Sequence, residues 1–288
     1  MAVVDAHMHL FKAVSDEYPR DVFEPMTPPG REENAETYVS LMDSAGVDHS
    51  IIVGLSAHDQ YLTTLHRDHP DRFAIVGVID DDASDPVADL RRRKKQSGLQ
   101  GLRLFTLGDD DAAPEDLALF PLLQAMAELE VKAWFYSNVQ QVELLDRVLE
   151  LLPNLVVVMN HLGFCPDIWD EITVDDDLRP GFDIPLPPDS LDVVTRLARR
   201  DSVYVHLSGM YAFTGEPYPY PDLQPIVDRI HGAFGSEKLL MASDYPWIKN
   251  NPGYAETLAL VDHYLPDLPA AERDAIRGGN AAKLFDFG

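Results

Sequence analysis

Eight short apolar runs recur along the chain, and helical sequence follows each of them. They read VVDAHMHL (3–10), HSIIVGL (49–55), FAIVGVI (73–79), LQGLRLF (99–105), VKAWFYS (131–137), LVVVMNH (155–161), VYVHLS (203–208) and LLMASDY (239–245). Most are nearly continuous in Val, Ile and Leu, the pattern of a parallel sheet covered on both faces. The intervening stretches are amphipathic. In NVQQVELLDRVLELL, apolar residues fall at Val142, Leu145, Val148, Leu149 and Leu152, a 3.6-residue period. Eight strand–helix units in 288 residues predict a (β/α)₈ TIM barrel, an α/β fold in one domain over residues 1–288. An open doubly wound sheet would place a Gly-rich phosphate loop after its first strand; here that strand ends His-Met-His-Leu-Phe. The longest irregular stretches, 11–34, 162–188 and 209–222, follow strands one, six and seven. They belong at the C-terminal mouth, where barrel active sites are built.

Composition narrows the function. A formal charge of −26 disfavours nucleic acid and anionic membranes as partners. The acidic runs 80–85, 108–116 and 175–183 fall between apolar segments, as solvated loops and helix starts do. No apolar run approaches the roughly 18 residues that cross a bilayer. The chain starts directly in a strand, without a basic or apolar leader, and the expectation is a cytoplasmic protein. The single cysteine, Cys165, excludes an internal disulfide and a cysteine-based zinc site, and is expected as a small buried residue. A homo-oligomer is compatible with all of this.

The strand ends carry the chemistry. His7 and His9 lie two residues apart on a strand, so both project from one face, about 6.6 Å apart. Asp5, one step deeper, is expected on that same face as a hydrogen-bonding support. Strand six ends in His161, strand seven carries His206 and Ser208, and strand eight ends at Asp244. Imidazoles and a carboxylate are a donor set for one divalent ion, zinc or manganese. Such an ion lowers the pKa of bound water to about 7, and Asp244 beside it is placed to take the water's proton. Arg103 alternates with Leu102 and Leu104, which points it into the mouth to hold a carboxylate or an oxyanion. His206 is a candidate general acid or base, with a barrel-interior histidine as the alternative. Tyr136, Tyr211, Tyr245 and Trp247 are candidate pocket-lining aromatics, with Tyr136, Tyr211 and Trp247 favoured as substrate contacts. RGGNAAKLFDF reads as a glycine-preceded C-terminal helix capped by Asn280.

In order, DAHMHLF, GLRLF, NHLGFCP, VYVHLSGMY, ASDYPW and GNAAKLF resemble the amidohydrolase superfamily, in its amidohydrolase-2 branch, and within it the lactonase-type members. The likeness runs from Val3 to Phe285. It implies His7, His9, His161 and Asp244 as a metal site. One departure is His206, where the lactonase pattern commonly has Lys. Strands four and five end RLFT and FYSN, without the Lys or Glu that bridges two metals, and Lys132 sits at the wrong end of the barrel. A single ion is therefore expected, and some lactonase relatives use none. The implied activity is metal-dependent hydrolysis of a lactone or related cyclic ester, acting on a small carboxylate or lactone substrate. The rivals are a non-oxidative decarboxylase of unsaturated or aromatic acids and a non-catalytic barrel that keeps its metal ligands.

Overall fold

The computed structural model describes residues 1–24, 26–166 and 172–287. Eight parallel strands make one sheet in the order β1 (Val4–Met8), β2 (His49–Val53), β3 (Phe73–Val78), β4 (Gly101–Leu104), β5 (Lys132–Phe135), β6 (Val157–Met159), β9 (Val203–Leu207) and β10 (Leu239–Met241). The ends meet where the Asp244 N–H donates to the His7 carbonyl (2.9 Å) and the His9 N–H to the Tyr245 carbonyl (2.7 Å), nearly closing the barrel. These are the eight expected strands. Each is shorter than its apolar run, mainly because the last residues turn into the loops of the mouth.

Helices between the strands start and stop where the sequence provides caps. The Asn34 side chain accepts from the Thr37 N–H (3.0 Å) to open the helix Ala35–Ala45, which Gly46 ends at φ +68°. Asp85 and Asn138 cap the helices Pro86–Ser97 and Val139–Leu151 in the same way. An antiparallel hairpin, β7 (Ile172–Val174) and β8 (Pro180–Phe182), lies within the long connection after β6 and was not expected. Its strands are three residues each, too short for a periodic signal.

The barrel interior is a layer of Val4, Ala6, Ile51, Val53, Ala74, Val76, Trp134, Val158, Leu240 and Ala242. The C-terminal helix Asn280–Leu284 plugs its bottom, setting the Phe285 ring edge-on to Trp134 at 5.5 Å. Lys132 lies over Phe285 at that end, away from the mouth. Asn280 is not a cap: its Nδ2 donates to the Ser236 (2.8 Å) and Leu239 (2.9 Å) carbonyls, tying the helix to the start of β10. Gly278 permits this docking, since a Cβ there would lie 2.0 Å from the Ala2 carbonyl oxygen.

β1 departs from simple alternation. Asp5 pairs with Ser50 and Met8 with Ile52, so three steps of β1 oppose two of β2, a bulge. The bulge separates Asp5 from the histidines, contrary to the expected shared face. Asp5 meets Tyr38 on the helix layer, whereas His7 turns inward and stacks on Trp134.

Candidate active site

Three loop–strand junctions deliver four polar groups to one point. His7 and His9 come from the bulged end of β1, His161 from the turn after β6 and Asp244 from the turn after β10. His161 (φ +49°) and Asp244 (φ +61°) both hold left-handed backbone conformations, uncommon for residues with a Cβ. Such strain persists where surrounding contacts impose it and clusters at functional sites. After His161, Gly163 keeps its φ of +68° with Val194 packed where a Cβ would sit.

Each ring has a fixed orientation. His9 Nδ1 donates to the Val53 carbonyl (2.8 Å), which leaves an Nε2 lone pair facing inward. His161 Nδ1 lies 2.9 Å from Ser208 Oγ, with Nε2 3.9 Å from Asp244 Oδ2. His7 differs. Its Nδ1 accepts the Trp134 indole N–H at 2.8 Å, so the neutral ring carries its hydrogen on Nε2, 3.2 Å from His9 Nε2 and 3.5 Å from Asp244 Oδ1. Burial, followed by the charges of His9, His161, His206 and Arg103, holds His7 well below its usual pKa and hence neutral.

Asp244 is the pivot. Its Oδ2 accepts the Tyr211 hydroxyl at 2.7 Å, while Oδ1 is buried without a hydrogen-bond partner among the described residues. Burial pushes its pKa up, but His161, His9 and the Tyr211 hydrogen bond outweigh that, and the carboxylate stays ionised. Burial brings His161 down to about 4, although Asp244 opposes the shift.

These groups open on a cavity of about 440 Å³ at the mouth. His9, His161, Asp244, Arg103, Tyr136, Tyr211 and Trp247 line it. Arg103 is largely buried, with its guanidinium over the Phe105 ring (4.8 Å) and near Tyr136 (5.9 Å). Its Nε makes no hydrogen bond, and no carboxylate lies within ion-pair distance among the described residues. His206 is fully buried beneath the cavity instead, packed on Trp134 (4.9 Å) and His7 (5.2 Å); burial holds it neutral against the pull of the Ala6 backbone. Tyr245 also leaves the cavity, because its hydroxyl reaches Glu33 (3.2 Å) on the helix side. Burial raises the Cys165 thiol to about 12, as befits a packing residue.

Sequence reading missed Trp134, which fixes the hydrogen on His7, and Asp80, Asp81 and Asp82, which lie on the cavity rim rather than on a remote loop. The aspartates directly follow β3 at the C-terminal face, a position that could have flagged them.

A metal ion would find donors here. His7, His161 and Asp244 offer ligand atoms within 4.8 Å of one another, and the orphaned Asp244 Oδ1 is a lone pair awaiting a partner. His9 Nε2 accepts the His7 Nε2–H at 3.2 Å, so both rings would face the ion as donors once that shared hydrogen is given up.

A parallel barrel with imidazoles and a carboxylate at its mouth is the architecture of the amidohydrolase class. The family model for amidohydrolases matches residues 4–287, and the chain belongs to that metal-dependent family. An L-fucono-1,5-lactonase from Burkholderia ambifaria is 23% identical over 253 residues, covering 84% of this chain and 80% of that protein. A Pseudomonas putida protein described as a 2-pyrone-4,6-dicarboxylic acid hydrolase superposes with a TM-score of 0.75 at 20% identity, over 99% of this chain and 98% of its own. A zinc-bound amidohydrolase from Burkholderia multivorans gives 0.75 at 22% identity, over 99% of both chains. More distantly, two aromatic-acid decarboxylases share the fold at 15% identity, with TM-scores of 0.65 and 0.64. At such identities the structural likeness carries the fold alone. Among the described residues no helix is long and apolar enough to cross a membrane.

Proposed function

We propose that this chain opens a lactone by hydrolysis. The observation that carries the reading is Asp244: an ionised, buried carboxylate with one oxygen held by Tyr211 and the other unpartnered beside the histidines. That oxygen is poised as the general base for a water. Arg103, a buried guanidinium on the same cavity, holds the lactone carbonyl and stabilises the oxyanion formed on attack. The water oxygen bonds to the carbonyl carbon and the acyl–oxygen bond breaks. The ring oxygen leaves as a hydroxyl carrying the proton that Asp244 took, and the new carboxyl group loses its own proton to solvent. Tyr211 keeps Asp244 aimed, and the Trp134–His7 hydrogen bond fixes which face of His7 donates into the site. The lactonase relative supports this class of substrate.

His161 and Asp244, with His7 and His9 once the hydrogen between them is given up, would hold one divalent ion, and zinc suits these nitrogen and oxygen donors, with manganese as the alternative. When bound, such an ion polarises the carbonyl and lowers the pKa of water. Mass spectrometry of protein purified without added metal should find about one equivalent per chain.

Asp244→Asn should lower kcat on a hydrolysable lactone by about 10²–10⁴-fold with the fold retained. A variant within tenfold of wild type would overturn the assignment. Release of CO₂ from unsaturated or aromatic acids, without lactone hydrolysis, would replace it with a decarboxylase.

A further inference from the structure

The cavity that surrounds Asp244 has three chemically distinct zones. Its floor is polar, formed by Asp244, His9, His161 and Arg103. Its wall is aromatic and aliphatic, with Met26, Phe105, Phe182, Phe213 and Trp247 among its members. Phe182 and Phe213 stack at 5.4 Å with 18° between their planes, and Phe164 supports Phe213 from behind at 4.2 Å. Its rim is acidic, formed by Asp21, Asp80, Asp81 and Asp82.

Arg103 is the one Lys or Arg among the described residues lining the cavity. It can meet one carbonyl or oxyanion. Even with the proposed divalent ion polarising the lactone carbonyl, Arg103 can pair with one carboxylate, so a dianionic substrate leaves its second carboxylate without a cation, facing four aspartates. The field there is already crowded: burial, followed by the neighbouring Asp80 and Asp82, raises the Asp81 pKa. A polyhydroxylated substrate finds partners at the acidic rim and at Thr27 and Ser56, but the aromatic wall between rim and floor offers its hydroxyls none, and each one desolvated unpaired costs about 1–3 kcal/mol. Apolar surface is what the wall rewards.

We infer that the substrate is a lactone bearing an apolar substituent, alkyl or aryl, and at most one carboxylate, whose ring sits on the Asp244–Arg103 floor and whose substituent packs against the apolar wall beside the stacked Phe182 and Phe213. The inference rests on the lactonase reading and narrows its substrate class. The acidic rim acts on the product too, since ring opening creates a carboxylate that the aspartates repel towards solvent.

The test compares kcat/KM of the purified protein for δ-valerolactone, its 6-phenyl derivative, L-fucono-1,5-lactone and 2-pyrone-4,6-dicarboxylate. The phenyl lactone should exceed the sugar lactone and the dicarboxylate by at least tenfold. Phe182→Ser, at a half-buried hairpin position, should lower turnover of the phenyl lactone more than that of δ-valerolactone. Equal or reversed preference, or a preference that Phe182→Ser leaves untouched, overturns the inference. If no lactone is opened, the hydrolytic reading fails, and calorimetry still tests the cavity. 4-Phenylcyclohexanone binding at least tenfold more tightly than cyclohexanone, with the gain reduced by Phe182→Ser, supports the apolar subsite; equal affinities overturn it.

Discussion

Two buried carboxylates near the closing seam of the barrel have opposite fates. Asp5 is fully buried and saturated. Its Oδ2 accepts from Tyr38 (2.7 Å) and Ser243 Oγ (2.5 Å), its Oδ1 from the Ser243 N–H (2.8 Å), and Tyr38 extends the network to Ser50 (2.7 Å) and Tyr254 (3.1 Å). Asp244 sits at the turn after β10 with one oxygen bonded and the other open. Burial raises the pKa of Asp5 despite its hydrogen bonds, whereas the surroundings of Asp244 lower its value. Burial of an acid therefore does not mark chemistry by itself. What separates the two is an unspent lone pair on a cavity: Asp5 cements a strand to its helices, and Asp244 is left reactive.

The sharpest way to break this contrast is to exchange the expected phenotypes. The kcat loss of Asp244→Asn should come with a nearly unchanged urea midpoint, and a large fall in stability would make Asp244 a second Asp5. Asp5→Ala, conversely, should lose about 2–4 kcal/mol in urea titration, since it strands the Tyr38 and Ser243 donors. Its folded fraction should keep near-wild-type kcat, and a kcat loss above tenfold would tie the network to the site. Tyr38→Phe removes one arm of that network and should cost about 1–2 kcal/mol in the same titration.

Acid probes the catalytic cluster from the other side. His161 has a folded pKa of about 4, below its unfolded value of about 6.5, so between these values the unfolded chain binds the extra proton. Stability is fully present above about pH 6.5 and is lost as pH falls towards 4. His161→Gln should flatten that window in urea midpoints measured against pH, and an unaltered slope would assign it to other groups. The smallest expected effect concerns Trp134→Phe. With the indole donor gone, the hydrogen on His7 is free to move to Nδ1, so zinc affinity measured by chelator competition should rise, by about tenfold. No change would mean that His7 stays outside the metal site with or without Trp134.

Much of this architecture is readable in one dimension. Apolar runs of strand length alternating with amphipathic helices have few ways to bury both faces of a parallel sheet, and the barrel follows. Residues at strand ends, His7, His9, His161, Asp244 and Arg103, follow from the same register, because the C-terminal ends of parallel strands share one rim. Local pattern failed where the chain departs from regular geometry. The bulge in β1 put Asp5 and His7 on different faces. Tyr245 turned towards Glu33, and Asn280 bonded to the backbone before β10 rather than capping its own helix.

The sequence by itself thus determined which residue types stand at the mouth, since periodicity sets strand ends and composition sets their chemistry. Only the tertiary structure decided which of them remain chemically open. Whether Asp244 Oδ1 is bonded, which nitrogen of His7 carries hydrogen, and whether Asp80–Asp82 face a cavity all depend on partners far away in the chain. Trp134 lies 127 residues from His7, and Tyr211 lies 33 from Asp244. Hydrogen bonds at such separations are fixed only when the barrel closes and packing leaves each polar atom with a partner or without one.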